Sequence, residues 1–284
     1  MKPSDYMHIA EGAAELLDEL GLNDVEAALS YRGGRFAALS STSDTLEIFP
    51  PTGTERIPSV YMKRYRYPKR SQRIKAVLRG SWFRKSRARF EFDRLSSMRT
   101  RGIRTIEPLA VGERRIAGLV TAGILITRGV AGQSLLSFAK TADDLSPADR
   151  RSIVTKLAQK VRRMHEAGVV HGSMVWRDII IHKNVSGEYD FTFLDPGYVK
   201  RFYLPGCRRL GYMRDIIDLA ATATLLCHKS DRLRFVKSYI GITKLNFRHR
   251  LWLKIIAWRA GRLTAKEKHR MEVDDIFLPP NQAK

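Results

Sequence analysis

Two short segments of the chain carry acidic and hydroxyl side chains in an order that suits phosphoryl transfer. The first runs from His171 to Asp178, and the second is Asp195 with the Pro-Gly that follows it. In a site of this chemistry a His opens a loop, and an acid two residues later orients the attacking hydroxyl. A residue five positions further on holds one metal ion, and an Asp close to a Gly holds the other. His171, Asp178 and Asp195 fit this layout, but Ser173 occupies the position of the orienting acid.

The two acids are the candidate metal ligands. Each adjoins an apolar run that predicts a buried strand, residues 179–181 for Asp178 and 191–194 for Asp195. Magnesium prefers carboxylate and phosphate oxygens, so two acids at the mouths of adjacent strands predict a magnesium site. An ordinary Asp-Pro-Gly turn is the alternative for Asp195.

Ser173 bears on whether the chain catalyses. A neutral hydroxyl cannot accept a substrate proton as a carboxylate does, and the loss of a positioned base costs about 10²- to 10⁴-fold in rate. Because the transition state of phosphoryl transfer is loose, that loss need not abolish the reaction. Asp178 is a candidate to take the proton instead.

Lys63 and Glu91 are the candidate nucleotide-binding pair. Lys63 lies in an apolar and aromatic strand pattern, and Glu91 follows 28 residues later in a basic helical pattern. A strand Lys can reach nucleotide phosphates, and an acid on a neighbouring helix can fix its direction. The alternatives are a solvent-facing Lys and a surface Glu among arginines.

The pattern along the chain predicts an α+β fold of two lobes. A small strand-rich N-terminal lobe, residues 1–128, precedes a larger helical lobe, residues 129–284, that contains a short hairpin with the motif. The boundary lies at the small residues 129–132. In the first lobe we expect helices at 5–21 and 84–101 and strands at 26–31, 36–39, 59–64, 109–112 and 118–127. In the second we expect helices at 146–165, 213–228, 230–240 and 247–262.

The composition predicts a folded cytoplasmic protein. Apolar residues make up 44% of the 284 residues, which is ample for a core. No stretch approaches the roughly 20 apolar residues that span a bilayer, and the N-terminal pattern is not that of a secretion signal. Cys207 and Cys227 are expected to be reduced thiols.

The net charge of +22 points to an anionic partner: nucleic acid, a lipid surface or a phosphorylated substrate. From Lys63 to Phe90 there are twelve Lys or Arg residues, no acid, and several aromatic residues. A solvated helix face explains many such runs, but this mixture also suits anionic inner-leaflet lipids. Nucleic acid is the weaker expectation, because no helix-turn-helix, zinc-finger or RNA-recognition pattern is found.

Taken in order, these segments resemble the lipopolysaccharide kinase family, the Kdo and heptose kinases of bacterial envelope assembly. The resemblance covers about Ser59 to Leu263. It rests on Tyr61-Met-Lys-Arg-Tyr65, Ala88-Arg-Phe-Glu-Phe-Asp-Arg-Leu95, Gly123-Ile-Leu-Ile-Thr127 and His165-Glu-Ala-Gly-Val-Val-His-Gly172, followed by Asp178, Asp195 and Asp218. The phosphate-covering loop is poorly matched, since Gly33-Gly34 lacks the G-x-G-x-x-G spacing.

The resemblance implies a protein-kinase-like fold, with ATP and Mg²⁺ as cofactors. It implies that Lys63 contacts the nucleotide phosphates and that Glu91 orients it. Asp178 would replace the usual metal-binding Asn, and Asp195 would bind magnesium. His171 would be structural, and Asp218 would be the buried acid that braces the catalytic loop.

By the same resemblance the chain is an ATP-dependent phosphotransferase acting on a sugar hydroxyl of the lipopolysaccharide inner core. It would work peripherally at the cytoplasmic face of the inner membrane, on lipopolysaccharide core or another anionic glycolipid, without an obligate protein partner. The alternatives are a pseudokinase, favoured by Ser173, and a small-molecule phosphotransferase of aminoglycoside type. A protein kinase is disfavoured because no Ala-Pro-Glu follows Asp195 and residues 198–211 are too few for an activation loop. The sugar, its hydroxyl and the oligomeric state stay open.

Overall fold

The computed structural model describes residues 3–39, 43–49, 59–67, 85–142, 145–197 and 207–277, with side chains as far as residue 272. The chain divides into two compact units, Met1–Ala131 and Gly132–Lys284. The sequence pattern placed this boundary three residues earlier, between 128 and 129.

The first unit is built on a six-stranded antiparallel sheet with the strand order β1-β5-β6-β4-β3-β2. Within the described residues, three helices accompany it. The strands are β1 (Ser4–Ile9), β2 (Arg35–Leu39), β3 (Ser43–Ile48), β4 (Val60–Arg66), β5 (Pro108–Ile116) and β6 (Leu119–Arg128). The helices are α1 (Ala14–Glu19), α2 (Val25–Ser30) and α3 (Arg87–Thr100).

The alternation of side chains along β4 decides which residues face α3. Val60 and Met62 are buried in a cluster with α1 and α2, whereas Tyr65 is buried in a second cluster with Leu95 of α3. Because successive side chains of a strand point to opposite faces, Lys63 shares the face of Tyr65. The strand therefore turns Lys63 towards α3.

Two expectations for this unit are wrong. Residues 4–9 form a strand rather than the start of a helix at 5–21, and residues 25–30 form a helix rather than a strand. β1 pairs with β5 more than a hundred residues away, which no local pattern reveals. The helix α2 begins at Asp24, whose side chain accepts a hydrogen bond of 2.8 Å from the amide of Ala27.

Gly34 is required for the close packing of β2 against β3. Its φ is +84°, and a Cβ on it would lie 2.6 Å from the backbone oxygen of Glu47. Gly33 and Gly34 therefore come just before β2 and do not connect β2 to β3. That connection is made by residues 40–42, which lie outside the described residues.

The second unit combines helices with a small antiparallel sheet of order β7-β8-β9. Its strands are β7 (Gln133–Ser134), β8 (Ile179–Lys183) and β9 (Tyr189–Phe193), and a 3-10 turn spans Trp176–Asp178. Its helices are α4 (Leu135–Lys140), α5 (Pro147–Glu166), α6 (Arg208–Leu226), α7 (Lys229–Ile240) and α8 (Phe247–Phe277).

Helix α5 follows its sequence pattern closely. Ser146 caps it by accepting a hydrogen bond of 3.0 Å from the amide of Asp149, and Pro147 occupies the first turn. Its buried side chains include Ile153, Leu157 and Val161, which recur every four residues on one face. In the same unit α5 packs against α7, and α6 packs against α8.

The remaining sequence expectations concern the cysteines, membrane-spanning helices and two segments of the chain. Both cysteines are unpaired, as expected. Within the described residues, no helix is long and apolar enough to cross a membrane. The middle of the basic run, residues 68–84, and the segment 198–206 after Asp195 lie outside the described residues, so the expectations about them stay predictions.

Candidate active site

The first unit brings Lys63 of β4 to Glu91 of α3. The Nζ atom of Lys63 lies 3.3 Å from both carboxylate oxygens of Glu91. The Lys63 side chain is 18% exposed and that of Glu91 6%, so the acid is buried and the Lys63 side chain is partly exposed. The contact expected from the sequence is present.

Tyr65 fixes the position of the Glu91 carboxylate. Its hydroxyl donates a hydrogen bond of 2.6 Å to Oε2 of Glu91, and its ring is buried beneath α3. Glu91 is therefore held by two donors from the same strand. Tyr65 was not among the predicted site residues, although its position two residues after Lys63 places it on the same face of the strand.

In the second unit, hydrogen bonds join the loop that carries Ser173 to the segment that carries Asp195. The amide of Gly197 donates to the oxygen of His171 at 2.8 Å, and the amide of Leu194 donates to the oxygen of Asp178 at 2.8 Å. Nε2 of His171 also lies 2.8 Å from the oxygen of Leu194. These contacts fix the two segments side by side, as their strands β8 and β9 pair in the sheet.

Gly197 allows the two segments to touch. A Cβ on it would lie 2.8 Å from the carbonyl carbon of Gly172 and 3.0 Å from the Cβ of Ser173. A larger residue at position 197 would therefore separate the loops. Ser173 accordingly lies at the junction, next to the segment that carries Asp195.

Asp195 has an unusual backbone conformation. Its φ is +45°, in the left-handed region that Asp and Asn tolerate better than most residues. Residues held in this region tend to occur at functional sites, because the surrounding contacts must offset the strain. Asp178 and Asp195 are both half-buried residues.

The donor set fits magnesium held together with a phosphate ligand. Among the described residues, no group of three or more His, Cys, Asp or Glu side chains is placed to hold a metal ion. Magnesium is usually bound by one or two carboxylates together with phosphate oxygens and water. Asp178 and Asp195 can supply those carboxylates, and a nucleotide would have to supply the rest.

The acid that braces the His171 loop is Asp215, and the assignment of that role to Asp218 is wrong. Asp215 is fully buried in α6 and accepts hydrogen bonds of 2.7 Å from the amides of His171 and Gly172. Nε2 of His165 lies 3.2 Å from the same carboxylate. The two acids are three residues apart on one helix, so they share a face and the sequence does not distinguish them.

Replacing Asp215 by Asn is expected to destabilise the second unit. The amide group can accept one of the two backbone hydrogen bonds but presents N–H groups to the other donor, which leaves buried polar groups unpaired. That costs about 3 kcal/mol of unfolding free energy. Urea unfolding measures the loss, with Asp149→Asn on the exposed first turn of α5 as the control. An unchanged midpoint for Asp215→Asn would contradict the bracing role.

Asp218 is buried beside a cation and other acids. Burial raises its pKa from 3.8 to about 6, the nearby Arg214 opposes the rise, and Asp215 and Glu267 add to it. Nε of Arg214 lies 2.8 Å from Oδ1 of Asp218. The protonated form therefore favours folding. This contribution is complete below pH 3.8 and is lost as the pH rises through about 6.

The variant Asp218→Asn is expected to be more stable than the natural chain at pH 7. Asn imitates the neutral acid, and the pKa shift corresponds to roughly 2–3 kcal/mol once the weak ion pair with Arg214 is allowed for. Unfolding free energies measured from pH 4 to pH 7 should diverge as the pH rises. A constant difference across that range would show that Asp218 does not titrate in it.

The chain is similar to known proteins both in sequence and in fold. The model of the Lipopolysaccharide kinase (Kdo/WaaP) family matches residues 52–196. A solved structure described as WaaP in complex with acyl carrier protein superposes with a TM-score of 0.64 at 20% identity, over 91% of this chain and 99% of that one. A search of curated proteins finds no match.

The sheet with its Lys–Glu pair, the helical unit and the similarity to WaaP define a protein-kinase-like fold. Since the family model covers half of the sequence, the chain belongs to the Lipopolysaccharide kinase (Kdo/WaaP) family. It is thereby an enzyme of the lipopolysaccharide core kinase class, as the sequence resemblance predicted.

Proposed function

We propose that the protein transfers the γ-phosphoryl group of ATP to a sugar hydroxyl of the lipopolysaccharide inner core, at the cytoplasmic face of the inner membrane. The observation that carries the proposal is the hydrogen-bonded junction of the His171 and Asp195 segments, in a chain of the lipopolysaccharide kinase family. The two joined segments carry Asp178 and Asp195, which are half-buried residues. Their carboxylates are of the kind that binds magnesium together with a nucleotide.

Lys63 is proposed to bind nucleotide phosphate, with Glu91 as its positioning residue. The ammonium group lies 3.3 Å from the Glu91 carboxylate, which Tyr65 also holds. A pre-positioned charge stabilises phosphoryl transfer without having to reorganise during the reaction. The Lys63 side chain is partly exposed, at 18%.

Asp178 and Asp195 are proposed to hold Mg²⁺. When bound, the ion would neutralise charge on the phosphate oxygens. The protein's part is to fix the two carboxylates through the backbone hydrogen bonds of Leu194 and Gly197. Ser173 is proposed to orient the acceptor hydroxyl, and the carboxylate of Asp178 to accept its proton.

A second candidate function is that of a pseudokinase, which binds nucleotide or a partner without turnover. It rests on Ser173, which replaces the expected acid at the loop junction. A hydroxyl cannot act as the base, so this candidate applies if Asp178 does not accept the proton in its place. Nucleotide binding that requires magnesium, without transfer to any core oligosaccharide, would favour this candidate.

The proposed partner is an anionic glycolipid, lipopolysaccharide core above all, which suits the net charge of +22. We propose that no protein partner is obligatory. WaaP has been solved in complex with acyl carrier protein, so a carrier protein is the partner to test against this proposal. Mass spectrometry of the purified protein, before and after a high-salt wash, would detect a bound carrier protein.

Calorimetric titration with ATP tests the proposed site. We expect saturable binding that requires magnesium and that weakens by about 10- to 100-fold in Lys63→Met, the value of one charge-assisted hydrogen bond. Lys85→Met is the control, because Lys85 is exposed and pairs with Asp93. Absence of binding by a folded sample, or equal affinities of the two variants, would contradict the nucleotide role of Lys63.

A further inference from the structure

Helix α8 exposes four large apolar side chains along its first half. Phe247 is 79% exposed, Leu251 51%, Ile255 40% and Trp258 61%. Their spacing of four, four and three residues places them on one face of the helix, over about 16 Å of its length. We call these four residues the apolar stripe.

The apolar stripe faces away from the core of the second unit. Among the residues of α8 whose side chains are described, Ile256, Ala260 and Glu267 are buried, and they lie on the opposite side of the helical wheel. None of the four stripe residues belongs to the buried core. A continuous apolar face in water is uncommon on a monomer and marks an interaction surface.

Basic residues border the apolar stripe on both sides. Residues 247–266 contain six Lys or Arg and no acid. Arg248 and Arg259 lie along one side and Arg250 and Lys254 along the other, and all four are exposed. At the end of the stripe the guanidinium of Arg262 lies 4.9 Å above the ring of Trp258.

We propose that the solvent face of α8 lies on an anionic lipid bilayer. An apolar stripe that contains Trp, Phe and Leu, between rows of Lys and Arg, is the pattern of a helix lying in a membrane interface. The aromatic rings suit the depth of the headgroups, and the basic rows attract anionic lipids. A second copy of the chain is a poor occupant, because two such helices would place their basic rows against each other.

Helix α8 would make the contact with the bilayer that the proposed location at the membrane requires. The inference rests on that part of the proposed function. The catalytic assignments do not enter it, since α8 carries none of the proposed site residues. Lipid binding and ATP binding can therefore be measured on the same samples and can fail independently.

Co-sedimentation with vesicles tests the proposal. The full chain is mixed with vesicles of phosphatidylcholine containing phosphatidylglycerol and with vesicles of phosphatidylcholine alone, at low and high salt. We expect binding to the anionic vesicles, weakened by salt, and a loss of at least about tenfold in the double variant Leu251→Glu with Trp258→Glu. The matched control is Val185→Glu with Leu210→Glu, which adds the same charge at exposed apolar sites elsewhere.

A second variant keeps the test valid if the first does not fold. Arg248→Gln with Lys254→Gln leaves the apolar stripe intact, and we expect about a fivefold loss of affinity per charge at low salt. Calorimetric titration with ATP should give the natural affinity for all of these variants. Three results would overturn the proposal. They are no binding of the natural chain to anionic vesicles, binding by both α8 variants that equals that of the natural chain, or a dimer that dissociates in the Leu251→Glu, Trp258→Glu variant.

Discussion

Asp195→Asn is expected to abolish magnesium-dependent binding of ATP and to lower phosphoryl transfer by about 10³-fold or more. Asn has nearly the same shape as Asp and tolerates the left-handed φ of +45°, so the change removes the charge without adding backbone strain. The carboxylate is a proposed ligand of Mg²⁺, and the ion is worth several kcal/mol of transition-state charge stabilisation. Titration with ATP, with and without magnesium, measures the binding.

Two further variants separate charge from conformation. Asp195→Gly also removes the carboxylate while permitting the positive φ, and it should lose binding to the same extent. Asp190→Asn, on β9 of the same hairpin, removes an acid whose Oδ1 lies 2.8 Å from Nζ of Lys160, and it should bind ATP normally. Unchanged binding and transfer in Asp195→Asn would remove Asp195 from the proposed site.

Ser173→Asp is expected to raise transfer to the acceptor by about 10²- to 10⁴-fold. The substitution restores a carboxylate where the loop joins the Asp195 segment, and a positioned general base contributes that much. The new charge lies near two acids, so a small loss of stability accompanies the gain in rate. Single-turnover transfer to core oligosaccharide, at saturating ATP, measures the rate.

Ser173→Asn is the matched control, because it adds the same volume without a proton acceptor. It should leave the rate at or below the natural level. If Ser173→Asp gains nothing while Asp178→Asn loses transfer, the proton passes to Asp178 and the serine does not limit catalysis. If neither variant transfers and both bind ATP, the pseudokinase alternative gains support.

Long helices and apolar strands could be predicted because their signals are local. Helix α5 begins at a Ser-Pro cap and repeats apolar residues on one face, and β4 and β6 are apolar enough to identify. The short elements near the N-terminus were wrong. Residues 4–9 form a strand only because β5 supplies its hydrogen-bonding partner, and pairing over that distance leaves no local pattern.

The same limit applies to the candidate site. The order of residues along the chain predicted that Lys63 on a strand could pair with Glu91 on the following helix, and the two side chains are in contact. Asp218 was predicted for the bracing role, which is wrong; Asp215 and Asp218 both lie on the buried face of α6. Only the tertiary structure shows that the carboxylate of Asp215 accepts the hydrogen bonds from the amides of His171 and Gly172.

By itself the sequence determined the residue types of the site, their order along the chain, the family and the excess of positive charge. Those properties depend on side-chain chemistry and on spacing within single elements. The tertiary structure alone decided which acid braces the His171 loop, how Gly197 brings two segments into contact, and that the apolar stripe of α8 faces solvent. Each of these depends on distances between residues far apart in the chain, which helical and strand periodicity do not encode.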